Sequence, residues 1–553
     1  MDYKKLADLL YPNVDKTIDY YTNKYPKRDL PDGAEVTRIA PSPTGFLHLG
    51  TAYGALIDSL TAQKTNGIYY MRLEDTDQKR EIENAGQIAY DMLCYYEIKP
   101  DEGYAGDNAP EVGIYGSYVQ SQRLEIYHTF AKHLVSIGRA FPCFCEKSDS
   151  KQDILDRRNE QLESSDDIES KDPCRDLTYE QIEQNIKQGK PFALRLLSMG
   201  DSEKTFEFVD LIKGKRTIRQ NTKDIVLVKS NGIPPYSLAH LVDDTLMGTT
   251  IVVRGEEWYA SLSAHIELFE AFGYKPLKYA HSPVICKLDE NGNKRKLSKR
   301  KDPEADARYY VEQGYPHIAI DEYLINLLNS DFESWRNQNP TLDFREFDFS
   351  ISKIGSNNPM FDFGKLNDVA KNHISRLTAT EVYEGLCAWA KDFDKEFYAY
   401  ITENREYVTN VLNIDRENPK PRKDIAKYSE VKQYFNYMFD LSDKTEDYYE
   451  LDGVDKQKLG EVIKQYIEVY NPDDDKQMWF DRIKQMAEKL GYATDNKLYK
   501  QNPDAYKGNT ADVCTYIRLA LTGRKNSPDI YSIAKILGKQ NVIKKLQNLA
   551  EFC

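Results

Sequence analysis

The pattern of hydrophobic and polar positions between residues 34 and 75 predicts a strand, a helix and a second strand. Residues 35–40 form a short β-prone segment, and residues 68–73 form the second strand pattern. Apolar residues recur at helical spacing between them, at Leu49, Ala52, Tyr53, Leu56, Ile57 and Leu60. Asn66-Gly67 then provides a typical helix stop. Such a βαβ unit predicts parallel strands in an open α/β sheet, with ligands bound outside the carboxyl ends of the strands.

The pattern changes twice further along the chain. After the first strands comes a segment with the character of an insertion, with a helical stretch at 123–137 and strand patterns at 192–197 and 225–229. The sheet is expected to continue through 250–254 and 284–287, and helices follow from about residue 308. The predicted segments are a helical extension (1–33), the first half of the α/β domain (34–115), the insertion (116–222), the second half (223–307) and two helical regions (308–385 and 386–553).

Composition narrows the class of protein. The 553 residues should divide into three to five domains. No apolar run approaches the roughly 18 residues that span a bilayer, and the first residues lack the apolar stretch of a signal peptide. Eight cysteines in this length do not make a disulfide scaffold, so a reducing cytoplasm is the expected location. The net charge of −14 argues against nonspecific coating of nucleic acid, although local basic patches leave specific binding open.

Two short segments carry the candidate chemistry. The first, Ala-Pro-Ser-Pro-Thr-Gly-Phe-Leu-His-Leu-Gly-Thr at 40–51, opens the predicted helix. A helix N-terminus presents free N–H groups and suits phosphate, His48 can donate a hydrogen bond there, and Gly50 permits close approach of a nucleotide. The second, Lys-Leu-Ser-Lys-Arg at 296–300, is expected in a loop between turn residues. Its lysines Lys296 and Lys299 can stabilise charge on a departing phosphate group.

Together, these segments resemble the two nucleotide-binding signatures of class I aminoacyl-tRNA synthetases. The Pro-Ser-Pro-Thr-Gly lead-in narrows the resemblance to the glutamyl and glutaminyl branch. It implies a Rossmann-like catalytic domain that binds ATP, with Mg²⁺ arriving on the nucleotide. By this resemblance Lys299 is the main phosphate ligand and Ser298 helps to position its loop. Thr51 stands where the family pattern has a second histidine.

A glutamate substrate needs a cation for its side-chain carboxylate and an anion for its ammonium group. Arg38 and Arg254, each on a predicted strand, are the candidate cations, because the guanidinium fork holds a carboxylate through two bonds. Glu74, after the second strand, is the candidate anion. The family resemblance supports these three residues and adds others: Ser42, Tyr236 and His240 for glutamate, and Trp258 for packing against adenosine. Many close relatives carry asparagine at position 240.

The C-terminal third resembles bacterial glutamyl-tRNA synthetases, at Phe361-Asp362-Phe363-Gly364-Lys365-Leu366 and at Arg518-Leu519-Ala520-Leu521-Thr522-Gly523. Glutaminyl enzymes end in β-barrels, whereas long helical patterns run here over 454–470 and 479–490. The resemblance implies an α/β class I catalytic domain with an α/β insertion that binds the acceptor stem. All-α stem-contact (308–385) and anticodon-binding (386–553) domains are expected after it.

The implied reaction is ATP-dependent ligation of L-glutamate to tRNA(Glu) through a glutamyl-adenylate. A monomer without membrane association is expected. Two alternatives stay open: an enzyme that also charges tRNA(Gln), and a catalytically inactive tRNA-binding paralogue.

Two further groups of residues have more than one interpretation. Cys143, Cys145 and Cys174 resemble a zinc knuckle that some bacterial glutamyl enzymes carry, with Asp176 as a candidate fourth ligand. Ordinary free cysteines are the alternative. Two acidic pairs are interpreted as helix caps and turns rather than as a metal site, namely Asp75 with Asp77 and Asp243 with Asp244.

Overall fold

The structure, a computed structural model, describes residues 1–43, 45–76, 82–145, 172–298, 300–439 and 448–552. The chain divides into two units, Met1–Tyr309 with Asp321–Asp362, and Tyr310–Ile320 with Phe363–Cys553. Among the described residues, no helix combines the length and the apolar character that crossing a bilayer requires.

The strands of the described residues all lie in the first unit. They are β1 (Val36–Ile39), β2 (Ile68–Met71), β3 (Glu102–Gly103), β4 (Ala140–Cys143), β5 (Ala193–Leu196), β6 (Thr205–Asp210), β7 (Gly214–Arg219), β8 (Val226–Val228), β9 (Ile251–Gly255), β10 (Lys278–Ser282), β11 (Cys286–Leu288) and β12 (Lys294–Lys296).

The α-helices up to residue 338 are α1 (Tyr3–Leu10), α2 (Ile18–Lys24), α3 (Leu49–Lys64), α4 (Ala85–Tyr95), α5 (Leu124–Ser136), α6 (Tyr179–Lys187), α7 (Tyr236–Leu246), α8 (Leu262–Ala271), α9 (Ala307–Gln313), α10 (His317–Leu328) and α11 (Asp331–Gln338). Those from residue 363 onward are α12 (Phe363–Arg376), α13 (Ala379–Phe393), α14 (Lys395–Glu403), α15 (Arg405–Asn413), α16 (Glu430–Tyr434), α17 (Asn436–Phe439), α18 (Lys456–Val469), α19 (Lys476–Lys489), α20 (Asn496–Gln501), α21 (Thr510–Thr522) and α22 (Ile530–Ala550).

The central strands of the first unit are parallel, as the βαβ pattern predicts. β1 pairs with β2 and β2 with β3, while β9 pairs with β10. The two groups meet where Thr250, just before β9, donates its N–H to the carbonyl of Val36 at 2.9 Å. The order β3-β2-β1-β9-β10 therefore reverses direction between β1 and β9. Ligands bind at such a reversal in open α/β sheets.

One strand was predicted at the wrong place. The sheet continues through β10 (278–282), whereas residues near 284–287 form β11, which pairs antiparallel with β12. Tyr279, Ala280, His281 and Ser282 are all buried, although two of them are polar. Because buried polar residues break the apolar run that marks a strand, the hydrophobic pattern missed it. Lys296 accordingly ends a strand of a hairpin instead of lying in a loop.

Residues 140–228, most of them within the predicted insertion, contain two small antiparallel sheets. β5 pairs with β4 and β8, and β6 pairs with β7 in a hairpin. The second unit is helical over its described residues and is built around one apolar core that runs from Ile374 to Leu549. Capping boxes at Thr378 and Asn509 begin α13 and α21, because each side chain satisfies the free N–H groups of the first turn. The observed architecture confirms the predicted fold class.

Arg28, in the N-terminal segment, connects that segment to the α/β sheet. Its Nη1 and Nη2 donate to the carboxylate of Glu102, both at 2.9 Å, and its Nε donates to the carbonyl of Met247 at 2.8 Å. The guanidinium also lies 4.2 Å from the ring centre of Tyr115. Met247 caps the C-terminus of α7. Arg28 thus fixes the C-terminal end of α7, the helix that precedes β9.

We expect Arg28→Ala to lower the free energy of unfolding of this unit by about 3 kcal/mol, because it leaves the largely buried carboxylate of Glu102 without its ion-pair partner. Chemical denaturation measures the change. Lys16→Ala is the matched control in the same segment: its pair with Glu125 is solvent-exposed, so little change is expected. Equal losses in the two variants would contradict a special role for Arg28.

Candidate active site

A cavity of about 380 Å³ opens at the carboxyl ends of β1, β9 and β10, where the strand order reverses. The predicted residues that line it are Arg38, Ser42, His48, Gly50, Thr51, Glu74, Tyr236, Arg254, Trp258 and Lys296. His240 and Ser298 do not line it, and Lys299 lies outside the described residues. Two motifs that are distant in sequence therefore meet at one site.

His48 is the N-cap of α3. Its Nδ1 accepts a hydrogen bond from the N–H of Gly50 at 2.8 Å, so the neutral ring carries its proton on Nε2. A Cβ at position 50 would lie 3.0 Å from Nδ1, and glycine therefore lets the ring fold over the start of the helix. The N–H groups of Gly50, Thr51 and Ala52 are donated to His48 itself. The positive end of the α3 dipole nevertheless lies at the cavity beside an imidazole N–H, an arrangement that suits a phosphate.

The floor of the cavity holds buried ion pairs. Arg72 Nη1 lies 2.6 Å from Asp244 Oδ1 and its Nη2 lies 3.0 Å from Glu74 Oε1. Arg38 Nε also reaches Asp244, at 3.3 Å. Burial alone would raise the pKa of Asp244, but Arg38, Arg72 and His240 hold it well below its usual range. For Glu74, burial outweighs Arg72 and raises the pKa. An arriving cation at Glu74 would favour its charged form.

These contacts correct the interpretation of the acidic pair on α7. Asp243 and Asp244 are fully buried and neither caps a helix. Asp243 accepts from Arg123 Nε at 2.7 Å and from Tyr127 Oη at 2.8 Å. Sequence reasoning also missed Arg72, although a charged residue directly after an apolar strand was a usable signal.

Arg254 differs from Arg38 in its partners. Its Nε donates to His281 Nε2 at 3.0 Å, its Nη1 to His265 Nδ1 at 3.0 Å, and its Nη2 to the carbonyl of Trp258 at 3.4 Å. Among the residues that the structure describes, no carboxylate forms an ion pair with it. A guanidinium has five N–H donors, so the three contacts leave one donor on each η nitrogen for a ligand. Arg254 is buried and lines the cavity.

Tyr236 separates His240 from the cavity. The two rings stack at 5.0 Å with an interplanar angle of 5°, and Tyr236 also packs against Trp258 at 4.5 Å. His240 Nδ1 bonds to Asp244 and its Nε2 to Tyr279 Oη at 2.8 Å. Both ring nitrogens are therefore engaged within the protein. The ring lies behind Tyr236 and supports it.

The second motif approaches the cavity through the β11–β12 hairpin. Lys296 Nζ lies 2.8 Å from Glu257. Asp302 accepts two hydrogen bonds from Arg295, at 2.6 and 2.7 Å, and one from the N–H of Ser298 at 2.9 Å. The hydrogen bonds from Arg295, together with its positive charge, lower the pKa of Asp302 to about 2. Ser298 is thus anchored through its backbone, which supports the role of positioning the loop.

The three predicted cysteines come together in the insertion. Ligand atoms of Cys143, Cys145, Cys174 and Asp172 all lie within 4.8 Å of one another. Asp176, considered as the fourth ligand, is not part of this group; Asp172, at the N-cap of the same 3₁₀ turn, takes that place. The Sγ atoms of Cys145 and Cys174 are 3.6 Å apart. Burial raises the pKa of the Cys174 thiol to about 12, so a metal would have to displace its proton.

Comparisons with known proteins agree with the observed fold. The family described as tRNA synthetases class I (E and Q), catalytic domain, matches residues 35–338, and the anticodon binding domain family matches residues 386–550. A glutamate–tRNA ligase of Acetivibrio thermocellus is 45% identical over 99% of this chain and 100% of its own. That of Clostridium beijerinckii is 44% identical over 98% of each. A solved glutamate–tRNA synthetase structure from Elizabethkingia anophelis has the same fold, with a TM-score of 0.71, 22% identity and coverage of 94% and 100%.

The buried histidines make the free energy of unfolding depend on pH. Burial lowers the pKa of His240 from 6.5 to about 4, and it also lowers that of His265 and His281. The unfolded chain takes up these protons near pH 6.5, whereas the folded chain does not. The stability that depends on these neutral histidines is therefore fully present above pH 6.5 and is lost as the pH falls towards 4.

His240→Asn removes one of these titrating groups. The free energy of unfolding should then fall less steeply between pH 6.5 and 4, by at most about 3 kcal/mol in total. Urea unfolding at several pH values measures it, and an unchanged slope would contradict the assignment.

Proposed function

Since the chain belongs to the class I family of glutamyl- and glutaminyl-tRNA synthetases, we propose that it ligates L-glutamate to tRNA(Glu) with ATP through a glutamyl-adenylate. The observation that carries the choice of substrate is Arg254, a buried cation in the cavity that pairs with no carboxylate of the described residues. A substrate carboxylate supplies the missing negative charge.

We propose that glutamate binds between Arg254, Arg38 and Glu74. The η N–H donors of Arg254 take the side-chain carboxylate in a two-bond contact. Arg38, whose charge is compensated by Asp244, adds hydrogen-bond donors from β1. Glu74 accepts from the substrate ammonium group, which compensates for the burial of its carboxylate. Ser42 and Tyr236 offer hydroxyl groups at the cavity wall. His240 supports Tyr236 from behind and acts indirectly.

The nucleotide is expected above the N-terminus of α3. Trp258 packs against adenosine, while Gly50, Thr51 and the Nε2–H of His48 face the phosphates. Mg²⁺ enters with ATP and is held mainly by phosphate oxygens and water. Lys296 lines the cavity. Together with Lys299 of the same motif it is proposed to stabilise charge on the departing pyrophosphate, while Ser298 helps to position the motif.

Two displacements follow from this arrangement. An oxygen of the α-carboxylate of glutamate attacks the α-phosphorus of ATP and pyrophosphate departs, giving glutamyl-adenylate. The 2′-hydroxyl of the terminal ribose of tRNA then attacks the activated carbonyl, and AMP leaves. The protein contributes positioning and preorganised positive charge, without a covalent intermediate. The insertion is proposed to hold the acceptor stem and the helical regions to hold the stem and the anticodon.

We expect charging of tRNA(Glu) with labelled glutamate, and Arg254→Gln should raise KM for glutamate by about 100-fold or more, because a buried charge pair is lost. The control Arg345→Gln removes a guanidinium that pairs with Glu97 and Asp343 away from the cavity, and KM should not change. Parallel assays with tRNA(Gln) and with glutamine separate the alternatives. Binding of tRNA without charging would indicate an inactive paralogue, and glutamine transfer would overturn the pocket.

The cysteine group fits a structural zinc ion. Three thiolates and one carboxylate complete a tetrahedral set, and thiolate-rich sites favour Zn²⁺ among the common metals. Asp172 already accepts a hydrogen bond from Cys143 Sγ at 3.1 Å and pairs with Arg195 at 2.9 Å. We therefore propose Cys143, Cys145, Cys174 and Asp172 as its ligands.

Metal analysis of the protein purified under reducing conditions should find about one zinc per chain. Cys174→Ser should lose the metal, because a serine hydroxyl is a harder ligand than a thiolate and does not replace it on zinc. Cys514→Ser, which removes a thiol of the helical unit, should retain it. Metal-free protein after incubation with zinc would favour ordinary free thiols.

A further inference from the structure

His281 connects Arg254 to the carboxylate of Asp210. Its Nδ1 lies 2.6 Å from Asp210 Oδ2, and its Nε2 accepts from Arg254 Nε at 3.0 Å. Since an arginine can only donate, Nε2 must be unprotonated. The single proton of the neutral ring is therefore on Nδ1 and is donated to Asp210.

The two histidines that hold Arg254 are fixed in opposite tautomers. His265 accepts from Arg254 through Nδ1, so its proton is on Nε2, which lies 3.2 Å from Ser237 Oγ. All three side chains are buried. Burial lowers the pKa of both histidines, and this keeps the rings neutral. Two neutral acceptors therefore orient Arg254 without cancelling its charge.

Asp210 is fixed independently of the imidazole of His281. It ends β6, and its Oδ1 accepts from the N–H groups of Ile212 and Lys213 at 3.0 and 2.8 Å. Its Oδ2 accepts from the N–H of His281 at 3.2 Å. Backbone amides therefore hold the carboxylate on both sides, and its orientation does not depend on the imidazole.

We propose that Asp210 and His281 are positioning residues for Arg254: Asp210 selects the tautomer of His281, and that tautomer aims the free η donors of Arg254 at the substrate carboxylate. This inference rests on the proposed function, because it takes Arg254 as the glutamate contact. It adds two residues that do not touch the substrate. Asp210 belongs to the insertion, so a residue of the predicted tRNA-contacting segment sets the geometry of the amino-acid pocket.

Asp210→Asn is the sharpest test. An asparagine at this position cannot accept from the backbone amides with one atom and from His281 with the other. Its amide would donate to Nδ1, move the ring proton to Nε2 and point it at the N–H of Arg254. We expect KM for glutamate to rise about 10- to 100-fold, while KM for ATP changes little. Steady-state charging of tRNA(Glu) measures both constants.

Two substitutions of His281 separate orientation from packing. His281→Gln keeps one acceptor and one donor, so it can accept from Arg254 while donating to Asp210, and KM for glutamate should stay near that of the original protein. His281→Leu keeps the approximate size without the polar atoms and should match Asp210→Asn. Asp201→Asn, in the exposed turn before β6, is the control for the Asp-to-Asn change and should behave like the original protein.

The outcomes are distinguishable. If the unsubstituted protein does not charge tRNA(Glu) with glutamate, the proposed function itself is refuted. Active protein with an unchanged KM for glutamate in Asp210→Asn and His281→Leu would overturn this inference alone. Equal defects in His281→Gln and His281→Leu, or equal rises in both KM values, would indicate a purely structural role and would also overturn it. Thermal unfolding of each variant verifies that the measured enzyme is folded.

Discussion

The buried charges beneath the cavity constrain the rest of the catalytic unit. Arg72, Asp243 and Asp244 have almost no contact with water, and an unpaired charge at such a site is strongly destabilising. Their partners come from β1, β2, α5 and α7, and Arg38 and Asp244 are 206 positions apart in sequence. Moving any one of these elements would leave a charge uncompensated. The ion pairs therefore hold the carboxyl ends of the strands in one arrangement, and the cavity inherits that arrangement.

Within this framework, the two cavity arginines have different electrostatic roles. Arg38 is already compensated by Asp244, so it contributes mainly shape and hydrogen bonds. Arg254 is held by neutral imidazoles and a carbonyl, and its charge remains available to a ligand. An anionic ligand at Arg254 interacts in a region of low dielectric, where the attraction is stronger than in water. This contrast favours a substrate with a negatively charged side chain over its neutral amide.

The sequence was sufficient for the features that follow from local patterns. Helical periodicity located α3, and the motif around His48 marked the helix end that lines the cavity. It failed where long-range pairing decides the outcome. Asp243 and Asp244 have the sequence pattern of turn residues, and the arginines that face them are distant in sequence. The buried polar residues of β10 give that strand the hydropathy pattern of a loop. Asp172 was missed because the direction of a side chain in a short turn has no signature in spacing alone. The roles assigned to the cavity residues stay predictions.

The position of Asp210 links two parts of the unit that the sequence presents as separate. The carboxylate of Asp210 accepts a hydrogen bond from the Nδ1–H of His281. It also accepts hydrogen bonds from the N–H groups of Ile212 and Lys213 at the turn of the β6–β7 hairpin. That hairpin exposes basic residues, Lys215 and Arg216 among them, on strands that belong to the insertion. A shift of the turn would therefore disturb the tautomer of His281 and the aim of Arg254 together. Coupling between two binding sites is reciprocal. A ligand that held this turn in its present position would then strengthen the binding of glutamate, and bound glutamate would favour that ligand to the same extent.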